Sequence, residues 1–171
     1  MVTYVALLRA VNVAGTGKLP MSDLKAMCTD AGFLQVRTYI ASGNVVFQSK
    51  ASPTKVKADL EARLLAYVGK PVEVIVRTAA QMAAVLKANP FPKAAPNRTV
   101  AIFLDEPPPP DALEHAVGVK DEAMRLGTRE IFVHYASGIG KSKLKIPIAR
   151  RGSARNMSTI AKLADVAKNL R

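Results

Sequence analysis

The sequence predicts an α+β protein whose two halves repeat one order of elements around mainly antiparallel sheets. Hydrophobic residues make up 49% of the 171 residues, which is enough for a core and argues against disorder. Patterns typical of strands and helices follow one another in the order βαββαβ and then βαββα. A proline-rich stretch at 89–97 separates the two series and marks the predicted boundary between the halves.

In the first half, the helices are predicted from residues that typically begin or end a helix. Leu24 and Cys28 recur at helical spacing before Gly32, and Ser52-Pro53 begins a second helix that Gly69 ends. Ser42-Gly43 joins two β-rich runs as a hairpin. The predicted elements are a strand at 2–9, a loop at 11–19, a helix at 20–32, strands at 35–41 and 44–48, a helix at 52–69 and a strand at 72–76.

This βαββαβ order suggests the ferredoxin-like split βαβ arrangement, whose sheet has the strand order 4-1-3-2. In that arrangement the first two strands run the same way, so the loop after the first and the hairpin after the second lie at one sheet edge. Asn12 and Gly43 are therefore expected at the same edge.

The second half is predicted from weaker signals. Thr78 and Gln81 have capping-box spacing and begin a connecting helix. Further elements are a strand at 99–104, a short helix at 112–117, a hairpin of 123–126 and 130–135, and a last helix at 157–170. The predicted organisation is an N-terminal ferredoxin-like half with its connecting helix at 1–89 and a C-terminal βαββα half with a basic tail at 97–171.

Cysteine usage and hydropathy predict a cytoplasmic protein. Cys28 is the one cysteine, so the chain forms no internal disulfide, and no apolar run is long enough to span a membrane. The apolar start of the chain is too short for a signal peptide and lacks a basic region before it. Because Cys28 lies on the apolar face of its helix, a buried structural thiol is predicted rather than a nucleophile.

Positive charge is concentrated at the C-terminal end. From Ser137 onward the chain has nine Lys and Arg and one acid, Asp165, so +8 of the net charge of +12 lies there. Clustered positive charge attracts polyanions, although a merely solvated basic surface is the alternative. If residues 141–146 are extended, their lysines share one side and the apolar residues the other. The predicted polyanion contacts are Lys141, Lys143, Lys145, Arg150, Arg151 and Arg155.

Two segments come close to a phosphate-binding P-loop, but neither fits. In 12–19 the first glycine is replaced by Asn12 and the hydroxyl residue by Leu19, while 135–142 has Tyr135 in place of the first glycine. A glycine-containing loop with Lys18 before a helix still suits an isolated anion, and a plain strand-to-helix connection is the alternative.

The sequence offers no pattern for a metal, a cofactor or a nucleophile. His115 and His134 lack the spacing of metal ligands, and no G-x-S-x-G elbow is present. We therefore expect neither a metal nor a cofactor. A base-stacking sheet surface of the RRM type also lacks its aromatic residues, so contact with a nucleic-acid backbone is the better form of a nucleic-acid hypothesis.

Several motifs along the chain resemble the bacterial family catalogued as domain of unknown function 1697. They are Tyr4–Val13, Tyr39–Phe47, Ser142–Leu144 and Ala154–Asn156. The family pattern has Gly where Ala10 stands and Trp where Met157 stands. The resemblance implies a two-part α+β fold with ferredoxin-like halves and no established activity. The positions that match are mostly polar and predicted to lie in loops or at strand ends, where binding sites usually lie.

Two functions remain open on the sequence. The first is binding of a phosphate-rich ligand, nucleic acid or a nucleotide, through the basic tail. The second is an enzyme acting on a small anionic substrate held by Arg9, Asn12, Asn44 and Arg155. The lack of an acid–base pair favours the first. No membrane partner is expected, and the oligomeric state is open. The predicted ligand-binding residues are Arg9, Asn12, Lys18, Ser42, Asn44, Ser142, Lys143, Arg155 and Asn156.

Overall fold

A computed structural model describes residues 1–9, 19–40 and 43–170. The chain divides into two compact units, Met1–Met82 with Leu163–Arg171 and Ala83–Lys162. The predicted halves at 1–89 and 97–171 stay a prediction. The helices are α1 (Met21–Asp30), α2 (Pro53–Val68), α3 (Ala79–Lys87) and α4 (Met157–Lys168). Among the described helices, none has the length and hydropathy needed to cross a membrane.

The first unit contains an antiparallel sheet of four strands. These are β1 (Val2–Leu8), β2 (Leu34–Tyr39), β3 (Asn44–Ser49) and β4 (Val74–Thr78). Their order across the sheet is β2-β3-β1-β4, which confirms the predicted order 4-1-3-2. The Leu8 amide donates to the Gly43 carbonyl at 2.9 Å, so the end of β1 lies beside the hairpin as predicted. Asn12, the other residue of that prediction, lies outside the described residues.

The predicted helix signals of the first unit are confirmed. The Ser52 hydroxyl accepts the Lys55 amide at 3.3 Å, Pro53 begins α2, and Gly69 ends it in the left-handed conformation. Thr78 and Gln81 form a reciprocal capping box: the Thr78 amide donates to Gln81 Oε1 at 2.9 Å, and the Gln81 amide to Thr78 Oγ1 at 3.2 Å. Local side-chain chemistry therefore determines where these helices begin and end.

The core of the first unit lies between one sheet face and the helices α1 and α2. Leu24 and Cys28 of α1 and Leu60 of α2 pack against sheet residues including Phe47, whose ring stacks on Phe33 with centroids 4.2 Å apart. Cys28 is buried, as predicted, and burial raises the pKa of its thiol to about 12, while Arg63 lowers it by a smaller amount. The thiol is therefore protonated at neutral pH.

The second unit contains another antiparallel sheet of four strands. These are β5 (Thr99–Phe103), β6 (Ala123–Leu126), β7 (Glu130–His134) and β8 (Ser153–Asn156), in the order β6-β7-β5-β8. The predicted hairpin is present as β6 and β7. The predicted short helix at 112–117 is present only as a 3-10 turn at Ala112–His115, shorter than predicted and not α-helical. So short a segment, following Pro107–Pro110, cannot sustain an α-helix.

Strand β8 was not predicted and changes the surroundings of the basic residues before α4. Ala101 of β5 pairs with Arg155, and Ile102 pairs with Ala154. The chain approaches β5 closely at Gly152, just before β8 begins. A Cβ atom at this position would lie 2.7 Å from the Phe103 carbonyl oxygen, so a larger residue does not fit without a shift. The sequence Ser-Ala-Arg-Asn has no apolar alternation, so its strand depends on pairing with β5 rather than on its own composition.

An irregular segment, residues 139–151, covers one face of this second sheet. Leu144, Ile148 and Ala149 pack against a core that contains Ile102, Ile146 and Val133. The segment includes two 3-10 turns, Ile139–Lys141 and Pro147–Arg151. Leu144, Ile146, Ile148 and Ala149 are thus directed toward the core, whereas the cationic residues of the segment remain at the surface.

Candidate nucleic-acid interface

We define the basic segment as residues 141–151, which run from the end of the 3-10 turn Ile139–Lys141 through the 3-10 turn Pro147–Arg151 toward the strand β8. Its five cations, which are Lys141, Lys143, Lys145, Arg150 and Arg151, are all exposed. The extended arrangement considered for 141–146 is present only in part. Lys141 ends a 3-10 turn, whereas the alternation holds from Lys143 to Ile146: the lysines are exposed, and Leu144 and Ile146 pack inward.

The backbone of the basic segment is held at its centre by Val117. The amides of Val117 and Lys145 each donate to the other's carbonyl at 2.9 Å. The neighbouring Gly118 has φ +72°, and a Cβ atom there would lie 2.1 Å from the Lys143 carbonyl oxygen. Only glycine allows so close an approach, so the position of Lys143 and Lys145 depends on the absence of a side chain at 118.

Two acidic residues hold the chain through serine hydroxyls: Glu122 at the start of the basic segment, and Asp121 a few residues before it. Ser142 donates to Glu122 at 2.5 Å and accepts the Leu144 amide at 3.1 Å, and Ser137 donates to Asp121. The Ser142 hydrogen bond, followed by that from the Lys120 amide, lowers the pKa of Glu122. Ser142, predicted to bind a ligand, therefore holds the loop through a carboxylate.

In the described part of the chain, none of the five cations of the basic segment forms an ion pair with a carboxylate. Asp121 and Glu122, the acids that hold this segment, accept hydrogen bonds from serine hydroxyls instead. The surface is consequently a fixed array of cations that are available to an external anion.

Two open clefts border the second 3-10 turn of the segment. The first has a volume of about 370 Å³ and is lined by Ile102, Tyr135, Leu144, Lys145, Ile146, Ala149 and Arg150. The second has a volume of about 400 Å³ and is lined by Pro109, Asp111, Ala112, His115, Pro147, Ile148 and Arg151. Each cleft combines apolar walls, one ring-bearing side chain and one arginine.

Two of the residues predicted to bind a ligand near the C-terminus have structural partners. Arg155 is buried in β8, where its Nη1 donates to Ser153 Oγ and to the Ala154 carbonyl, both at 2.9 Å. Burial lowers the pKa of Arg155 to about 10. Asn156 Oδ1 accepts the Thr159 amide at 2.9 Å and so caps α4. Of the predicted set in this unit, Lys143 is the residue whose charge faces solvent.

The predicted residues of the first unit are also engaged in structural contacts. Arg9 forms an ion pair with Glu73 at 3.5 Å, and Asn44, which is fully buried, donates to the Tyr39 carbonyl at 2.9 Å across the hairpin. Asn12, Lys18 and Ser42 lie outside the described residues, as does the near P-loop at 12–19 except for its last residue, Leu19. The described part of the chain contains no cluster of acids, histidines and cysteine suited to a metal.

Tyr135 and His115 are the cleft residues that sequence reasoning missed. They are separated by β6 and β7 in the chain, and the fold brings each beside an arginine of one 3-10 turn. His115 Nε2 lies 3.2 Å from Asp111 Oδ2. An aromatic residue directly after a strand, followed by a basic stretch, was the available signal for Tyr135.

Comparison with known proteins found one family model and a solved structure that resemble this chain. The family model "Protein of unknown function (DUF1697)" matches residues 1–132. A solved structure of the conserved bacterial protein SP0830 from Streptococcus pneumoniae is similar over 97% of this chain and 98% of that chain, with 26% sequence identity and a TM-score of 0.81. The comparison with curated proteins found no match.

Proposed function

The chain belongs to the DUF1697 family of proteins of unknown function, and we propose that it binds single-stranded nucleic acid through the basic segment. The observation that carries this proposal is the array of five exposed cations without ion pairs in the described structure. A phosphate backbone that meets such an array releases its condensed counterions, which favours binding.

The placement of these charges suits a polymer better than a small enclosed substrate. The cations extend along an exposed segment, and the clefts beside them are open. An α-helix or a two-stranded ribbon is what usually enters the major groove of a duplex. Because the basic segment is a loop with 3-10 turns, a flexible single strand is the form of nucleic acid that fits it.

The alternative of an enzyme at Arg9, Asn12, Asn44 and Arg155 has less support. Arg9 is paired with Glu73, Asn44 is buried against the hairpin carbonyl, and Arg155 is buried in β8. Side chains already held by protein partners lose those contacts when they turn to a substrate. Glu73, the carboxylate that the structure shows beside this set, is the ion-pair partner of Arg9.

The salt dependence of binding tests the proposal. A labelled oligothymidylate is titrated with the protein at low and at physiological salt. With three to six phosphate contacts, the log–log slope is expected to lie at about −2 to −4. A peptide nucleic acid of the same base sequence, which lacks phosphates, is the matched control and is expected to show no salt-dependent binding. Absence of salt-dependent binding to the oligothymidylate overturns the proposal.

A further inference from the structure

We propose that the two clefts beside the 3-10 turn Pro147–Arg151 are neighbouring nucleoside subsites, each taking one base of a single strand. This inference rests on the proposed function. It adds which part of the nucleic acid enters the clefts. The phosphates meet the cations, while the bases lie in the clefts.

The first argument is that the two clefts share one composition. Tyr135 and Arg150 line the first cleft, and His115 and Arg151 line the second. Single-stranded nucleic acids are held by bases stacked on tyrosine, histidine and arginine side chains, together with cations at the phosphates. Each cleft therefore contains the two groups that one nucleotide needs.

The second argument is size and polarity. Volumes of about 370 and 400 Å³ lie in the range of small-molecule sites. Ile146 and Leu144 form apolar walls in the first cleft, and Ile148 does so in the second. A flat, weakly polar base suits such walls, whereas a bare phosphate does not, because apolar walls offer it no hydrogen bond.

The third argument is continuity. Arg150 and Arg151 are consecutive residues of the same turn, so the two clefts lie against one short stretch of backbone. Neighbouring bases of one nucleic-acid strand are joined by a single phosphate, and each of the two arginines of the turn lines one of the two clefts. A strand that crosses the turn thus places one base on each side.

The test compares a decathymidylate with an abasic oligomer that has the same number of phosphates. The substitution Tyr135→Leu keeps an apolar side chain but removes the aromatic ring. It is expected to weaken binding of the decathymidylate about tenfold. Binding of the abasic oligomer is expected to remain unchanged. His115→Ala is expected to act in the same selective way. Tyr67→Leu, a change at an exposed tyrosine of α2, is the matched control without effect.

A measurement on the wild-type protein complements these variants, because Tyr135 also packs against the core. Photo-crosslinking with a bromouracil oligomer is expected to modify Tyr135 and His115. The subsites are overturned if crosslinks form only at other residues. They are also overturned if Tyr135→Leu weakens binding of the decathymidylate and of the abasic oligomer equally. Either result leaves the proposed function standing. Failure of the wild type to bind either oligomer overturns both.

Discussion

Arg150 and Arg151 are adjacent in the chain, yet they line different clefts. The cause is the 3-10 turn that carries them, since with three residues per turn consecutive side chains diverge by about 120°. Ile146 and Ala149 contribute to the same cleft as Arg150, and Pro147 and Ile148 to the same cleft as Arg151. One short turn therefore directs its two arginines into two separate clefts.

The glycine at 118 is expected to be essential for the basic segment. Gly118→Ala forces a left-handed alanine and places its Cβ against the Lys143 carbonyl, so we expect a loss of about 3 kcal/mol in the free energy of unfolding. Gly69→Ala is the control, because Gly69 also has positive φ but no atom near its Cβ position. We expect Gly69→Ala to lower the free energy of unfolding by about 1 kcal/mol. Urea denaturation measures both, and equal losses would contradict the role of the close approach.

Asn156 is expected to act on stability rather than on binding. Asn156→Ala removes the acceptor of the Thr159 amide and is expected to lower the free energy of unfolding by about 1 kcal/mol. Asn156→Ser keeps a capping oxygen and is expected to restore most of the loss. Denaturation together with the oligothymidylate titration separates the two roles. A weakened affinity with unchanged stability would show that Asn156 contacts the ligand instead.

The contact between Ser142 and Glu122 predicts a measurable titration shift. Hydrogen bonding lowers the pKa of Glu122 below its ordinary value of 4.5, and the Ser142 hydroxyl is the largest cause. A carboxyl whose pKa is lower in the folded state stabilises that state above its unfolded pKa. This stabilisation is lost as the pH falls through the folded pKa. Ser142→Ala is expected to raise the Glu122 pKa toward the ordinary value, as followed by NMR of the carboxyl carbon. An unchanged pKa would mean that the hydroxyl does not hold the carboxylate in solution.

Local signals allowed much of the fold to be predicted. Ser52, Gly69 and the pair Thr78–Gln81 act through neighbours a few residues away, so their effect can be recognised in the sequence alone. The strand order of the first sheet followed from the order of its elements. Strand β8 could not be predicted in this way, because Arg155 is in a strand only through its pairing with Ala101.

The candidate site was predicted less completely, for a related reason. Lys141, Lys143, Lys145, Arg150 and Arg151 were recognised from charge density, which is visible along the chain. Tyr135, which lines one cleft with Arg150, and His115, which lines the other with Arg151, are brought there by tertiary structure. Asn156 was interpreted as a ligand residue, although an asparagine before an apolar-periodic helix is also the signal of an N-cap.

The central claim is that the lysines of the basic segment meet phosphates, and replacing all three tests it most directly. A variant with Lys141→Gln, Lys143→Gln and Lys145→Gln is compared with one carrying Lys25→Gln, Lys50→Gln and Lys93→Gln. These control lysines are also exposed, and in the described structure they form no ion pairs. Both variants lose the same charge.

The measurement is the slope of log affinity for oligothymidylate against log salt. With each lysine on one phosphate, the first variant is expected to flatten the slope by about two units, and the control is expected to leave it unchanged. Equal flattening in both variants would contradict the claim, because overall charge and not the basic segment would then drive binding. An unchanged slope in the first variant would contradict it as well.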